Sequence, residues 1–195
     1  MSGFLRRFTL FELILLTFIA AAGIAVKPVV VSLSHLITSP LLIPGGALAG
    51  GLYMLFPVLG GALVGKRGGA TLVCVIQCLV VMVSGVYGSH GAASLITYIV
   101  PGLLVDLLWI MLATTGAAML PCFFGGMVAN VSGTLLVNLV FFRLPLIPLL
   151  LSAALAAFSG GWGGIIAWEM IKRLKRLNIF AHLQSETNGI GEQTP

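Results

Sequence analysis

The segment "PGGALAGGLYMLFPVLGGALVGKRGGA", Pro44 to Ala70, decides the character of the whole chain. It runs for about twenty small or apolar residues without a charge and then reaches the basic pair Lys66 and Arg67. A helix needs about 20 mostly apolar residues to cross the hydrocarbon core of a bilayer. The segment therefore predicts a glycine-rich membrane helix followed by a basic turn.

The whole chain has 59% hydrophobic and only 8% charged residues, far from the balance of soluble domains. Glycine, proline and charge breaks divide it into six apolar runs, near residues 10–31, 42–64, 70–84, 92–113, 116–141 and 146–171. We predict an all-α membrane protein, a bundle of six transmembrane helices over residues 1–176. A polar cytoplasmic tail, residues 177–195, is expected to follow.

Charge distribution predicts the orientation. Lys27 and Arg143 fall on one side of the predicted bundle, and the other eight basic residues fall on the opposite side: Arg6, Arg7, Lys66, Arg67, Lys172, Arg173, Lys175 and Arg176. The positive-inside rule then puts both termini in the cytoplasm. The net charge of +5 is explained by topology rather than by nucleic-acid binding, because the basic residues form short clusters instead of a continuous face.

Polar groups within the predicted spans are candidates for a ligand site, because an ionisable side chain there usually faces a cavity or a partner. Asp106 is the one acidic residue well inside a span, and it lies beside a stripe that contains Tyr98 and Trp109. Asn130 and Asn138 lie on a polar stripe of the fifth span. The alternative is interhelical hydrogen bonding that only holds the bundle together.

The loop "GVYGSHG", residues 85–91, is predicted to face outward. Its glycines allow Tyr87 and His90, with His35 at another outer helix end, to form the rim or lid of a cavity. A plain tight turn with interfacial anchors is the competing interpretation. Ser89 beside His90 is the one pair that suggests a membrane hydrolase, but no orienting acid lies near them in the sequence.

Metal and nucleotide sites are not expected. Cys74 and Cys78 share a helical face, yet no further soft ligand completes a tetrahedral site. "GGALVGKR", residues 60–67, lacks the Ser or Thr of a phosphate-binding loop and ends a membrane helix. We therefore predict no cofactor and no ATP hydrolysis by this chain.

At this point the chain resembles a family, the substrate-binding S components of energy-coupling factor (ECF) vitamin transporters. The likeness rests on the size and six spans, the stripe "TFIAAAGIA" in the first span, the segment from Pro44 to Ala70, and "GVYGSHGAASLITYIVPGLLVD". It covers about residues 8–176. The resemblance implies a subunit of the prokaryotic cell membrane that is not itself an enzyme and that captures a micronutrient from outside.

The same resemblance implies partners and a site. The partners are a transmembrane coupling subunit, the T component, and two ABC ATPases, with Ala21 and Ala25 on the docking face. The implied substrate-binding candidates are His35, Tyr87, His90, Tyr98, Asp106, Asn130, Asn138 and Trp162. The start Met1-Ser2-Gly3 lacks the Met-His of nickel and cobalt members, which disfavours a metal ion. The chain most resembles the branch linked to thiamine and its hydroxymethylpyrimidine precursor, in which Asp106 with Tyr98 and Trp109 would suit a flat, basic or cationic heterocycle. His35 and His90 would equally suit an anionic vitamin or a tetrapyrrole. A self-contained small transporter and a membrane structural or assembly protein are the alternatives.

Overall fold

A computed structural model describes residues 7–38, 45–84 and 94–176, and all the regular structure in these three ranges is helical. The α-helices are α1 Leu10–Thr38, α2 Gly45–Tyr53, α3 Leu55–Val64, α4 Gly69–Ser84, α5 Ser94–Met111, α6 Met119–Val137 and α7 Leu146–Arg176. A π-helical turn, Asn138–Phe142, extends α6. The predicted all-α architecture is confirmed, and each predicted run corresponds to a helix, with α2 and α3 together forming one.

Four of these helices are long and apolar enough to cross a membrane: Leu10–Ser34, Gly45–Val64, Met119–Phe141 and Leu146–Arg176. Two shorter apolar helices, Gly69–Val83 and Leu95–Met111, border residues that the structure does not describe. That these two helices also cross the membrane, which would make six crossings, stays a prediction. The tail predicted at residues 177–195 lies outside the described residues.

Side chains are distributed as a membrane requires. Large apolar residues such as Phe18 on α1 and Ile147 on α7 are about three-quarters exposed, while buried side chains include Gln77, Asp106 and Asn130. Water would oppose this arrangement, whereas lipid favours apolar surface outside and polar groups turned toward the bundle interior. The exposed apolar side chains therefore suit contact with lipid.

One end of the bundle, which we call the basic end, collects the start of α1, the turn from α3 to α4 and the end of α7. Lys66 donates to the backbone carbonyl of Arg7 at 2.8 Å and forms an ion pair with Glu12 at 2.6 Å. Phe8 and Ile171 belong to the same core cluster. The basic residues in the described part of this end are Arg7, Lys66, Arg67, Lys172, Arg173, Lys175 and Arg176. The orientation of this end toward the cytoplasm stays a prediction.

Glycines bring α7 close to its neighbours. A Cβ atom added at Gly163 would strike the backbone oxygen of Gly51 on α2, and one at Gly126 on α6 would strike the oxygen of Gly160. Small residues permit such backbone approach in lipid, where packing rather than the hydrophobic effect drives association. These contacts fix α7 against both α2 and α6.

The segment that resembled a phosphate-binding loop is a helix end. Gly65 adopts a left-handed conformation, φ 66°, and its amide donates to the carbonyl of Gly61 at 2.9 Å. This conformation suits glycine, which has no Cβ to clash. The neighbouring Lys66 is engaged by Glu12.

Candidate functional site

A small cavity lies between α1, α2, α4 and α5, and we call it the Lys27 cavity. Its volume is about 20 Å³, room for about one water molecule. Its lining residues come from all four helices and from the junction after α2: Gly23, Ile24, Lys27, Tyr53, Met54, Cys74, Gln77, Thr97 and Tyr98. A charge, two phenols and an amide thus meet within a membrane-embedded bundle.

The break between α2 and α3 places Tyr53 at this cavity. Proline has no amide hydrogen, and its ring clashes with the carbonyl four residues earlier, which for Pro57 is that of Tyr53. The chain interrupts its helix at Met54 accordingly and starts α3 at Leu55. Tyr53 therefore ends α2 at the cavity, and its hydroxyl donates to the carbonyl of Gly46 at 3.2 Å.

Lys27 is the charged group of the cavity. Its ammonium nitrogen lies 2.8 Å from the hydroxyl oxygen of Tyr98, to which it donates. The same nitrogen lies 4.0 Å from the ring centroid of Tyr98 and 5.1 Å from that of Tyr53. Both distances are within the range of cation–π attraction. The lysine is thus turned into the bundle, toward α2 and α5, and not toward the lipid.

Two groups on α4 complete the polar lining. Gln77 is buried, and its amide nitrogen reaches the carbonyl of Ala20 at 3.4 Å, a long hydrogen bond. A Cβ atom at Gly23 would collide with that amide nitrogen, so the glycine makes room for it. The buried Cys74 thiol lies one turn before Gln77 along the same helix face. The cavity therefore presents several hydrogen-bond donors around one cation.

The family described as "ABC-type cobalt transport system, permease component" matches residues 11–132, more than half of the chain. The chain belongs to this family. It is accordingly a membrane-embedded, multi-pass transport subunit rather than an enzyme, and the matched residues include every residue that lines the Lys27 cavity. No curated protein matches this permease component.

A solved structure supports the fold of the permease component. The protein described as "Crystal structure of an S-component of ECF transporter" is similar, with a TM-score of 0.71, over 96% of this chain and 99% of its own. The two sequences are 14% identical, so the likeness concerns the fold alone. The architecture of an S component, which the sequence led us to expect, is thereby confirmed for the whole bundle.

Among the substrate-binding candidates predicted from the sequence, Tyr98 lines the Lys27 cavity. Tyr87 and His90 lie outside the described residues, and so does the side chain of His35, whose backbone belongs to α1. The proposed rim or lid formed by residues 85–91 therefore stays a prediction.

Asp106 lies at the start of α4 instead of at the cavity. Its carboxylate accepts hydrogen bonds from the backbone amide of Thr71 at 2.7 Å and from the Thr71 hydroxyl at 2.5 Å. The first amides of a helix have no partner within the helix, and a carboxylate satisfies them well. Trp109 lies in the same region and donates from its indole nitrogen to the carbonyl of Pro121 at 2.9 Å. The geometry gives both residues packing roles near the basic end.

Asn130 joins three helices. Its side-chain amide donates to the carbonyls of Ala47 on α2 and Ala156 on α7, at 3.0 and 2.9 Å, and it also lies 3.0 Å from the Ser159 hydroxyl. Ser159 in turn donates to Ala47 and accepts from the amide of Gly51. These are the bundle-holding hydrogen bonds that the sequence left as the alternative interpretation.

Asn138 and Trp162 also lie away from the lining of the Lys27 cavity. Asn138 begins the π-helical turn and donates to the carbonyl of Thr134 at 2.9 Å. Its buried amide oxygen has no hydrogen-bond partner in the described part of the chain. Trp162 is 53% exposed on α7 and packs edge to face on Phe158. A lipid-facing position explains this tryptophan.

The first helix carries an exposed small-residue stripe. Thr17, Ala21 and Ala25 are all exposed, and they lie four residues apart on one face of α1. Only 22% of the apolar window of α1 is buried inside the bundle. The face predicted to dock the coupling subunit is therefore open in the isolated chain, and docking itself stays a prediction.

Of the described residues that line the cavity, Tyr98 alone was among the predicted substrate-binding candidates. Lys27 was used to predict the orientation, although it lies inside the first predicted span. Tyr53 gave no signal except its place four residues before Pro57, and Gln77 lies in the middle of the third predicted span. A search for basic as well as acidic groups within the predicted spans would have found Lys27 in addition to Asp106.

Proposed function

We propose that this permease component is the substrate-binding membrane subunit of an ECF-type ABC importer. It captures a small organic micronutrient from outside the cell and delivers it with ATP-driven partner subunits. The observation that carries the proposal is the S-component fold over nearly the whole chain, in a protein that belongs to an ABC transport family. Binding takes place at the Lys27 cavity, and Ala21 and Ala25 dock the coupling subunit.

The position of the cavity supports binding from outside the cell. Lys27 lies seventeen residues into α1, about 25 Å along the helix from its start at the basic end. Tyr98 lies in the first turns of α5, at the helix end remote from the basic end. With the basic end in the cytoplasm, the cavity lies in the outer half of the membrane. This is the side from which an importer must collect its substrate.

The finer substrate assignment is thiamine or its hydroxymethylpyrimidine precursor. The aromatic faces of Tyr53 and Tyr98 suit a flat heterocycle, and the Gln77 amide offers hydrogen bonds to ring nitrogens. The description of the family favours a second candidate, the cobalt ion. The described residues contain no cluster of three His, Cys, Asp or Glu that could hold a metal ion. We therefore propose an organic substrate.

One experiment tests the proposal. The tagged chain is extracted from the membranes of its native host, and its protein partners and bound small molecules are identified by mass spectrometry, with cobalt measured in parallel. We expect a transmembrane coupling subunit, two ATPases and a stoichiometric organic compound. Uptake by liposomes that contain this chain alone would instead support a self-contained transporter. Partners without any bound small molecule or transport would support an assembly role.

A further inference from the structure

Lys27 is a cation within a membrane span, and the described structure provides no carboxylate for it. The chain has five acidic residues in all, Glu12, Asp106, Glu169, Glu186 and Glu192. Glu12 pairs with Lys66, Glu169 pairs with Lys172 and Arg173, and Asp106 accepts from Thr71.

The two segments between helices that lie outside the described residues contain no acidic side chain. Residues 39–44, "SPLLIP", and 85–93, "GVYGSHGAA", contain no Asp or Glu, and Glu186 and Glu192 belong to the carboxyl-terminal segment beyond Arg176. The five carboxylates of the protein are thus committed elsewhere or distant in sequence from every helix of the cavity. The charge of Lys27 has to be balanced by something other than an acidic side chain.

Two common explanations for a lysine inside a membrane span do not fully account for the position of the Lys27 ammonium. A lysine near a membrane surface can extend its ammonium group along the helix to the headgroups. Here the nitrogen lies between the rings of Tyr53 and Tyr98, on two other helices. Aromatic faces and one hydroxyl attract a cation, but they do not neutralise it. An intramembrane charge held in this way is by default a functional group whose partner is to be identified.

We infer that the substrate carries an anionic group, a carboxylate or a phosphate monoester, that binds the Lys27 ammonium. This inference rests on the proposed function and narrows its substrate. Thiamine is a cation and hydroxymethylpyrimidine is neutral, so the ligand is a phosphate ester of such a heterocycle or another flat molecule with a carboxylate. The anion also receives a hydrogen bond from the Tyr98 hydroxyl, which sits 2.8 Å from the ammonium. The Gln77 amide, whose bond to Ala20 is long, is the second neutral donor at the cavity.

The volume of the Lys27 cavity fits an oxygen atom of an anionic group. The Lys27 cavity has room for about one water molecule, which is the scale of a carboxylate or phosphate oxygen. The cavity therefore admits one oxygen atom of the anion, next to the Lys27 ammonium, rather than the whole anionic group. Charge-assisted hydrogen bonds in such a low-dielectric setting are shorter and stronger than neutral ones, so the anion provides much of the selectivity.

The test uses the full-length protein in lipid nanodiscs and probes that differ in one group. The pairs are hydroxymethylpyrimidine and its phosphate ester, thiamine and thiamine monophosphate, and nicotinamide and nicotinate. We expect the anionic member of at least one pair to bind ten times or more tightly than its partner by calorimetry. The pairs with phosphate and with carboxylate identify which anion is recognised. Lys27→Gln should abolish the difference, and Trp162→Phe should preserve it.

A second measurement needs no ligand. If the Lys27 charge is balanced only by a bound anion, the ligand-free Lys27→Met variant should unfold at a higher temperature than the ligand-free wild type, because an unbalanced charge has been removed. A lower unfolding temperature, or failure to fold, would make Lys27 a structural link and overturn the inference. So would a neutral or cationic probe that binds its site independently of Lys27.

The two proposals fail separately. Tight binding of an anionic probe through Lys27, without association with ATPases, would reject the importer and leave the anion site intact. Assembly with ATPases and uptake of a neutral or cationic compound would support the importer and reject the anion site.

Discussion

The close backbone approach of α7 to α2 makes the sharpest prediction about stability, and it concerns Gly163. A Cβ atom at this position would meet the carbonyl oxygen of Gly51, with its carbonyl carbon 2.7 Å and its Cα 3.0 Å away. All three are backbone atoms, which cannot rotate aside. Gly163→Ala therefore forces the backbones of α2 and α7 apart.

The cost follows from what that separation breaks. Overpacking of this kind costs about 1–3 kcal/mol, and a rigid backbone obstacle belongs at the upper end. The hydrogen bonds from Gly51 to Ser159 and from Ser159 to Ala47 cross the same interface, and each is worth about 0.6 kcal/mol in a membrane protein. Alanine offsets about 1 kcal/mol through its better helix propensity. The net loss in the free energy of unfolding should be about 2–3 kcal/mol.

Gly46→Ala is the matched control, because its added Cβ would meet only the Tyr53 hydroxyl, at 3.4 Å, an ordinary contact. Unfolding is measured by SDS titration of the detergent-purified protein, followed by tryptophan fluorescence. The control should unfold like wild type or slightly later. If Gly163→Ala lay within about 0.5 kcal/mol of the control, the close approach of α2 and α7 would be wrong.

Three further outcomes are expected. Asp106→Asn should lower the unfolding free energy by about 1–2 kcal/mol, because it weakens the cap on α4, and should leave ligand affinity unchanged by calorimetry. Ala21→Trp should reduce co-purification of the coupling subunit and ATPases, whereas Ala154→Trp, on an exposed position of α7, should not; equal retention by both would reject the docking face. Glu12→Gln should destabilise the protein by less than about 1 kcal/mol in the same titration, since its partner Lys66 is over one-third exposed, and a larger loss would contradict this.

Most of the fold is predictable because lipid imposes a simple rule on the sequence. Apolar runs of membrane length and their glycine and charge breaks predicted the position of each helix, although α1 and α7 extend seven and five residues beyond their predicted ends. The interruption at Met54 was not predicted, because hydropathy sees Pro44 to Val64 as one run while Pro57 breaks its hydrogen bonding locally. For the shorter helices α4 and α5, the prediction that they cross the bilayer still rests on hydropathy.

The site was harder to predict, because the sequence shows that a polar group is inside but not which way it faces. Asp106 looked like the ligand group since it was the deepest acid, yet it caps a neighbouring helix that no local pattern connects to it. The sequence likewise did not show that Asn130 faces the neighbouring helices and holds them together. Tyr98 was identified through its helical stripe, whereas Lys27 and Tyr53 become a cavity only when α1, α2 and α5 meet.

The central claim is that this transport subunit holds its substrate at the Lys27 cavity, and one measurement tests it most directly. The small organic molecule that co-purifies with the protein is quantified by mass spectrometry for wild type, Tyr98→Ala and Trp162→Ala. Wild type and Trp162→Ala should carry it in equal, near-stoichiometric amounts, and Tyr98→Ala should lose it. Full retention by Tyr98→Ala, or loss from Trp162→Ala, would contradict the assignment of the site.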